Sequence, residues 1–270
     1  MRRAPRGIAV LFLAAVVLCG TRTATAQLKF LRGQNVAPIF EGWRRDQDRS
    51  IRMYFGYLNR NYEEVLDIPV GPGNGFEPEA ADRGQPTHFL TRRQRFVFQV
   101  RLPKDWDPKR RVIWTIVANG KTEKAQGWLQ PEWEIDDGVI QMNLGPGGAP
   151  PADPPNTAPT ITGSADQTVT LPGTLTLTAS ATDDGIPKPR KLAPGAAAPP
   201  AGSAGVNIRW IHYRGAGEVA FSAATSERVY GKPAELTTKV TFSAPGSYVL
   251  RAIANDGLLE ASHDVTVTVK

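Results

Sequence analysis

The stretch TFSAPGSYVLRAIANDG, residues 241–257, decides the fold class of this 270-residue chain. Apolar side chains stand at every second position of its middle part, at Tyr248, Leu250, Ala252 and Ala254. Successive side chains of a strand point to opposite faces of a sheet, so this period is typical of a strand with one buried face. Pro-Gly before the run and Asn-Asp-Gly after it are turn-forming sequences. The stretch therefore predicts one strand of an antiparallel sheet.

Four other segments of the C-terminal part repeat this period. They are rich in Val and Thr, which favour strands, and Gly, Pro, Asp and Asn separate them. Short strands at this spacing predict a β-sandwich, with Trp210 as its core tryptophan and Tyr248 as a tyrosine corner. The apolar faces are Leu175, Leu177, Ala179 and Ala181; Val206, Ile208 and Trp210; Leu236, Val240 and Phe242; and Val265, Val267 and Val269.

The motifs of this part follow one another in a familiar order. They are APT (158–160), ADQTV (165–169), LPGTLTLTASATDDG (171–185), Trp210, the stretch at 241–257 and ASHDVTVTV (261–269). Together they resemble the PKD-type immunoglobulin-like module of bacterial secreted and surface proteins. The resemblance implies a non-catalytic module for adhesion, spacing and carbohydrate or protein contact. A Pro-, Gly- and Ala-rich insertion at 187–205 departs from the family pattern.

The N-terminus has the three parts of a secretory signal peptide. MRRAPRG is a positively charged start, IAVLFLAAVVLCG is an apolar middle, and Ala24-Thr25-Ala26 is a small-residue cleavage motif. We therefore expect cleavage before Gln27 and export by the general secretion route. This places the protein in the periplasm, at the cell surface or outside the cell.

The cysteine and charge content exclude several classes of function. Cys19 is the only cysteine and lies within the predicted signal peptide, so the cleaved chain has no disulfide and no thiolate nucleophile. Leu18 precedes it where a lipoprotein signal has Gly or Ala, which argues against a lipid anchor. The net charge of +6 includes four signal-peptide arginines, and a nearly neutral mature chain gives no reason to expect nucleic-acid binding. No second apolar run is long enough for a transmembrane helix.

Composition divides the rest of the chain. We predict an all-β protein of two tandem immunoglobulin-like β-sandwich domains joined by a Pro/Gly-rich linker. The predicted segments are a signal peptide at 1–26, a first β-sandwich-like domain at 27–144, the linker at 145–158 and the PKD-type domain at 159–270.

The first domain also shows strand patterns. Ile51, Met53, Phe55 and Tyr57 share one predicted face, Phe96, Phe98, Val100 and Leu102 share another, and VIWTIVANG (112–120) is a predicted central strand. Residues 127–130 and 139–144 are shorter strand candidates. Residues 71–89 have little period, and we expect a long loop that faces a partner. Four stretches of the first domain are similar to the front part of uncharacterised secreted bacterial proteins, a resemblance that implies no activity. They are GWRR (42–45), YFGYLNRNYEE (54–64), IPVGPGNGFEP (68–78) and GQPTHFLTRRQRFVFQVRLP (84–103).

Two acidic turns are candidates for a metal site. Asp183, Asp184, Asn255 and Asp256 end two strands that are neighbours in the predicted sandwich. Carboxylate and amide oxygens suit Ca²⁺, which takes six to eight oxygen ligands. The alternative, which we favour, is that Asp-Gly and Asn-Asp-Gly serve only as turns. We therefore predict no obligatory cofactor, with Ca²⁺ as the open possibility.

Candidate ligand-binding residues lie in the first domain. Sugars stack on exposed rings, so Trp43, Tyr54, Tyr62, His88 and Trp133 are candidates for a ligand surface, and the alternative is that such rings are core. No H-E-x-x-H, G-x-S-x-G or phosphate-loop motif occurs.

The sequence therefore predicts an exported, non-catalytic binding or structural module that contacts an envelope or extracellular protein. A carbohydrate-binding module and an unrecognised hydrolase are the alternatives. Protein contact predicts an exposed apolar patch, glycan binding a row of exposed rings, and hydrolysis a deep pocket with convergent carboxylates.

Overall fold

Alternating apolar side chains build strands along most of the chain. The computed structural model describes residues 29–78, 80–144, 155–189 and 204–270. The predicted signal peptide lies outside the described residues, as do most of the predicted linker and of the insertion at 187–205. Residues Leu31–Lys270 form one compact unit.

The first sandwich packs the sheet β1-β2-β6 against the sheet β4-β7-β8, with a short β3-β5 pair beside them. β7 lies at the centre of its sheet, as its apolar sequence predicts. The strands are β1 (Val36–Arg45), β2 (Ile51–Asn59), β3 (Leu66–Asp67), β4 (Asn74–Glu77), β5 (His88–Phe89), β6 (Arg92–Leu102), β7 (Val112–Ala118) and β8 (Lys121–Gly127).

Aromatic side chains fill the core between these sheets. Trp114 and Phe55 are fully buried, with ring centroids 6.1 Å apart in an edge-to-face arrangement. Phe98 meets Trp114 edge-on at 5.0 Å, and Phe76 stacks on it at 5.8 Å. Burial of each large apolar side chain contributes roughly 1.5–3 kcal/mol, so this cluster is the main source of stability in the first sandwich.

A bulge in β6 corrects one predicted strand face. The register passes from Phe55 opposite Phe98 to Tyr57 opposite Gln94, and Phe96 lies in the bulge with φ of 49°. Phe96 therefore leaves the face of Phe98 and packs against Tyr54, with ring centroids 6.1 Å apart.

Two strand predictions after β8 are wrong. β8 ends at Gly127, and a 3-10 turn at Pro131–Trp133 follows the predicted strand at 127–130. Residues predicted as a strand at 139–144 belong to helix α1 (Asp137–Leu144). The Asp136 side chain accepts a hydrogen bond from the Val139 amide at 2.9 Å, which is a helix cap. A short apolar run fits strand and helix alike, and this cap favours the helix.

The predicted long loop at 71–89 is an ordered structure that contains β4 and β5. Asn74, fully buried in β4, holds it together. Its amide group donates to the carbonyls of Ile68 at 2.9 Å and Pro86 at 2.8 Å, and its Oδ1 accepts from Trp114 Nε1 at 2.9 Å. A buried amide with these partners fixes both sides of the segment.

The second sandwich packs the sheet β10-β16-β15-β12 against the sheet β13-β14-β11-β9. Its strands are β9 (Thr160–Gly163), β10 (Gln167–Val169), β11 (Leu175–Thr182), β12 (Asn207–Arg214), β13 (Val219–Phe221), β14 (Ala234–Phe242), β15 (Gly246–Asn255) and β16 (Glu260–Val269). The five predicted strands are confirmed as β11, β12, β14, β15 and β16. β9, β10 and β13 have three or four residues each and were not predicted.

Trp210 and Tyr248 occupy the predicted core positions of this sandwich. The Tyr248 ring is fully buried, and its hydroxyl donates to the carbonyl of Ala244 at 2.8 Å and contacts that of Ala216. This is the predicted tyrosine corner, which ties the β14-β15 turn to the segment after β12.

The described residues form an all-β fold of two tandem immunoglobulin-like β-sandwiches. A third apolar cluster connects them: it combines Tyr54 of β2, Ile135 and Ile140 from the segment after β8, and Leu259 of the second sandwich. In the described part of the chain, no helix is long and apolar enough to cross a membrane. The predicted domain boundaries stay predictions.

Candidate functional site

The segment at 71–89 contacts the second sandwich of the same chain. Arg214 of β12 forms a two-pronged ion pair with Asp82, with Nη2 to Oδ1 at 2.7 Å and Nη1 to Oδ2 at 3.0 Å. Its Nε donates to the Gln85 carbonyl at 2.7 Å, and the Tyr213 hydroxyl donates to the Gly84 carbonyl at 2.6 Å. The segment is therefore ordered and attached to the second sandwich, and its contact with a partner stays a prediction.

A buried arginine provides a second attachment between the sandwiches. Arg251 of β15 donates to the Val97 carbonyl in β6 at 2.8 Å, and its guanidinium lies 3.5 Å from the centroid of the Tyr213 ring. Asp264 accepts two in-plane hydrogen bonds, from Nε at 2.7 Å and from Nη2 at 2.8 Å. Burial opposes the charge of Arg251, but Asp264 outweighs this effect and raises the pKa of Arg251. The ion pair, the Val97 carbonyl and the Tyr213 ring together hold this cation in place.

Burial keeps the Tyr213 hydroxyl protonated. The residue is 3% exposed, and burial raises the pKa of its phenol to about 12. Tyr213 is therefore a neutral hydrogen-bond donor to Gly84 at physiological pH.

Between these attachments lies a cavity of about 580 Å³, which we call the junction cavity. Residues of both sandwiches and of helix α1 line it. Its rings include Tyr54, Tyr57, Phe96, Phe98 and Tyr213, and its aliphatic lining includes Leu90, Ile140, Leu144, Ile211, Ile253 and Leu259. Apolar and polar groups contribute similar shares of the lining, and a concave cavity between two bodies is a usual place for a ligand site.

Arginines supply most of the polar lining of the junction cavity. Arg44 pairs with Asp137 at 2.6 Å, and Arg209 pairs more weakly with Glu260 at 3.8 Å. Both lining carboxylates therefore already face an arginine. Arg95 also lines the cavity and is exposed. This arrangement can hold an apolar group with a polar or anionic end, and it does not present two facing carboxylates.

The candidate ligand residues do not form one surface. Tyr54 and His88 line the junction cavity, whereas Trp43, Tyr62 and Trp133 do not. Trp43 and Tyr54 are buried, at 5% and 8% exposure, so neither is an exposed ring as the ligand prediction requires.

Each of these rings has a structural partner. Trp43 Nε1 donates to the Gln130 carbonyl at 2.8 Å, and burial raises the pKa of Tyr54. Tyr62 is partly exposed with Arg92 over its ring at 3.9 Å. Trp133 is 43% exposed and packs on Phe40 with ring centroids 5.6 Å apart. Trp133 is thus the most accessible of the five.

Two histidines that appear unrelated in the sequence meet at the junction. The rings of His88 and His212 stack with centroids 4.0 Å apart. His88 Nδ1 lies 2.7 Å from Asp67 Oδ1. Burial, followed by the proximity of His88, lowers the pKa of His212 to about 4. The sequence gives no sign that they are neighbours, because only the docking of the sandwiches brings them together.

The acidic turns form a partly buried cluster, but with a different membership from the one predicted. Asp256 is fully buried, and its Oδ2 accepts from the Asn156 amide group at 3.0 Å. Asp184 accepts from the Thr157 hydroxyl at 2.7 Å. Asn255 Oδ1 instead accepts from Arg228 at 2.8 Å, so Asn255 faces a cation. Asn156, in the last part of the predicted linker, takes its place in the cluster.

Two oxygens of this cluster have no hydrogen-bond partner among the described residues. They are Asp183 Oδ1 and Asn156 Oδ1, both buried. Burial raises the pKa of Asp183, and the nearby Asp256 adds to that rise. Burial also raises the pKa of Asp256. Within the described ranges, no three acidic or histidine side chains form a metal site on their own, so any cation would need amide or backbone oxygens as well.

Comparisons with known proteins add little. No family model matches the chain, and no curated protein matches it. Among solved structures, domains 4 and 5 of the S-layer protein SbsC align at 12% identity over 81% of this chain and 82% of that chain, with a TM-score of 0.23. A chimeric titin Z1Z2 aligns at 10% identity over 88% and 98%, with a TM-score of 0.23. The D00-D0 domain of intimin aligns at 11% identity over 87% and 99%, with a TM-score of 0.26. At these scores, we draw no functional conclusion from the likeness.

Proposed function

We propose that this chain is an exported, non-catalytic module that binds an envelope or extracellular protein at the junction of its two sandwiches. The junction cavity is the observation that carries the proposal, because it is a concave site with both apolar and polar lining between two attached bodies. The attachments at Arg214 and Arg251 support it, since a site formed before binding loses less entropy when the partner binds.

Exposed apolar side chains on the neighbouring segment support protein contact. Trp133 and Met142 are 43% and 50% exposed, and helix α1, which carries Met142, also contributes Ile140 and Leu144 to the cavity wall. Tryptophan and methionine are enriched in the centres of protein interfaces. We therefore expect a partner to place an apolar side chain in the cavity while its surface covers α1.

The experiment is site-specific photocrosslinking in the native cell envelope. A benzophenone amino acid replaces Met142 in one strain and, as a matched control, Tyr230, which is 45% exposed on the second sandwich. We expect a discrete adduct from position 142 only. Ala261→Trp, at a residue lining the cavity, should remove that adduct by filling the space. Equal adducts at both positions, or an adduct that survives Ala261→Trp, would contradict the proposal.

Two further experiments test the alternatives of carbohydrate binding and hydrolysis. Selective binding of the purified protein on a glycan array, lost in Trp133→Ala, would favour carbohydrate binding. Hydrolysis of an ester or glycoside panel, lost in Glu260→Gln, would favour an enzyme. The two carboxylates that line the junction cavity are paired with arginines, Glu260 with Arg209 and Asp137 with Arg44, and this supports the proposed non-catalytic role.

Export rests on the predicted signal peptide. We propose that the mature chain begins at Gln27 and lies outside the cytoplasm. Cell fractionation and N-terminal mass spectrometry test this, because an intact Met1 in the cytoplasmic fraction would contradict it.

We also propose a Ca²⁺ site at the acidic cluster of Asp183, Asp184, Asp256 and Asn156. The unpartnered buried oxygens of Asp183 and Asn156 support it, because a cation would satisfy both and offset the repulsion among three carboxylates. Bound there, Ca²⁺ would tie the segment before β9 to the ends of β11 and β15.

A further inference from the structure

The stacked histidines lie on opposite sides of the junction. His88 belongs to β5 of the first sandwich, and His212 belongs to β12 of the second. Their ring planes are inclined by 29° with centroids 4.0 Å apart, so the contact is face to face. His212 is 6% exposed, and its ring also lies 5.7 Å from the Tyr248 ring of the tyrosine corner. The pair is therefore part of the packed junction.

The hydrogen bonds of His212 favour the neutral ring. Its Nε2 lies 3.1 Å from the Arg214 carbonyl, which can only accept, so Nε2 carries the proton. Its Nδ1 is buried and has no hydrogen-bond partner among the described residues. A second proton at Nδ1 would place a positive charge without a hydrogen-bond acceptor in a buried contact, which is costly.

The charged groups around the pair can compensate one proton. On the side of His88, Asp67 of β3 lies 2.7 Å from Nδ1 and pairs with the ring when it is protonated. On the side of His212, Glu218 lines a groove shared with both rings, and the Arg214 guanidinium is already bound to Asp82. A proton added to His212 at Nδ1 therefore meets no acceptor, and the His88 ring, whose centroid lies 4.0 Å away, opposes the added charge.

We propose that the stacked pair His88–His212 makes the junction acid-labile, so that protonation of His212 within the stack separates the two sandwiches along β5 and β12. The inference concerns the attachment of the sandwiches and holds whether or not a partner occupies the junction cavity. An exported protein that meets acidic surroundings would thereby change from one rigid body to two tethered ones.

The direction of the effect follows from proton linkage. The pKa of His212 is about 4 in the closed junction, against an ordinary value near 6.5. The open form therefore binds more protons between these values, and the closed form loses stability as pH falls from about 6.5 towards 4. Each pKa unit is a factor of about ten, so we expect the ratio of closed to open molecules to fall ten- to hundred-fold across that window. Hydrogen bonds from Arg214 lower the pKa of Asp82, so protonation of Asp82 does not contribute to the loss of closed molecules at pH 5.

The experiment measures the distance between the sandwiches as a function of pH. Spin labels at Lys124→Cys in β8 and Glu235→Cys in β14 report it by double electron–electron resonance, in a Cys19→Ser background that removes the only native cysteine. We expect one narrow distance at pH 7.5 and, at pH 5, a broad longer component with at least ten times its pH 7.5 population. His212→Phe keeps the aromatic stack without the titration and should retain the narrow distance at both pH values.

Two further variants make the result decisive. His263→Gln removes a histidine of β16 that bonds to the Ser164 carbonyl within the second sandwich. The distance distribution of this variant should broaden at pH 5 as that of the wild type does. If circular dichroism shows His212→Phe to be unfolded, His212→Gln, which also removes the titrating ring and keeps a donor for the Arg214 carbonyl, replaces it under the same criterion. An unchanged wild-type distance down to pH 4.5, or equal broadening in the folded His212 variant, would overturn the proposal.

Discussion

Asp82 and Arg214 are 132 positions apart and form a two-pronged ion pair between the sandwiches. The arginine side chain is 19% exposed, whereas that of Asp82 is 53% exposed. The pair therefore has one end in the junction and one at the surface. Its position shows that the segment before β5 is an attachment of the first sandwich to the second.

Arg214→Ala should weaken this attachment. The variant loses both bonds to Asp82 and the Nε bond to the Gln85 carbonyl, and we expect a loss of about 1–2 kcal/mol and a Tm lower by several degrees. Differential scanning calorimetry measures both. Arg60→Ala is the matched control, because the pair of Arg60 with Glu123 at 3.7 Å is largely exposed and should contribute less than about 0.5 kcal/mol. Equal losses in both variants would contradict the assignment.

Tyr248→Phe should destabilise the second sandwich. The change keeps the buried ring and removes the hydroxyl that bonds the Ala244 and Ala216 carbonyls, so we expect a loss of about 1–2 kcal/mol in urea unfolding. Tyr230→Phe removes a hydroxyl bond of 3.3 Å from an exposed tyrosine and should be nearly neutral. An unchanged midpoint for Tyr248→Phe would mean that the corner contributes little.

Gly215→Ala tests the packing around the same corner. Gly215 has φ of +126°, and a Cβ there would lie 2.4 Å from Cδ1 of Tyr248. Backbone strain and the clash should together cost at least about 2 kcal/mol. Gly231→Ala is the control. A Cβ at Gly231 meets no atom within 4 Å, so this variant has only the backbone strain that comes from its φ of +69°. Thermal unfolding compares the two, and a smaller loss at Gly215 would refute the packing argument.

Asn74→Ala should loosen the 71–89 segment. The substitution leaves Trp114 Nε1 and the Ile68 and Pro86 carbonyls without their buried partner, which should cost about 2–4 kcal/mol. Because Trp114 is nearby, its fluorescence should shift to longer wavelength at lower urea than in the wild type. Asn143→Ala, at an exposed position in α1, should leave the midpoint unchanged. Equal midpoints for all three proteins would show that the amide is dispensable.

Ca²⁺ should stabilise the chain if the acidic cluster binds it. We expect millimolar Ca²⁺ to raise Tm and Asp183→Asn to abolish the increase, while Asp166→Asn, at an exposed carboxylate that accepts from the Thr266 amide, retains it. Burial raises the pKa of Asp183 and Asp256, so protons compete with the cation and the Ca²⁺ affinity should fall as pH decreases. Calorimetric titration at pH 7.5 and 5 measures this. Identical Tm values with Ca²⁺ and with EDTA would reject the site.

The sequence predicts strands well where one face alternates and poorly where elements are short. β11 and β14 alternate over their whole length and were predicted, whereas QTV in β10 and VAF in β13 are too short to show a period. Helix α1 was missed because its short apolar run fits both periods, and its cap at Asp136 was the available signal.

The candidate site was less predictable, because it depends on how the sandwiches dock. Asp82 meets Arg214, and His88 meets His212, only after both bodies have folded. The irregular sequence at 71–89 predicts a long loop, whereas the segment contains β4 and β5 and is held by hydrogen bonds of the buried Asn74. Asn156 could not be separated from the linker by composition, since its contact with Asp256 spans 100 positions.

The pairing of β10 with β16 determines how the second sandwich responds to mechanical force. The two strands run parallel, with Gln167 opposite Val267 and Val169 opposite Val269, and they continue into the bond from the Leu171 amide to the Lys270 carbonyl at 2.8 Å. A force that pulls the start of β9 away from the end of β16 loads these hydrogen bonds in shear. They share the load and must break at the same time. The sandwich should therefore withstand tension along the chain as one cooperative unit.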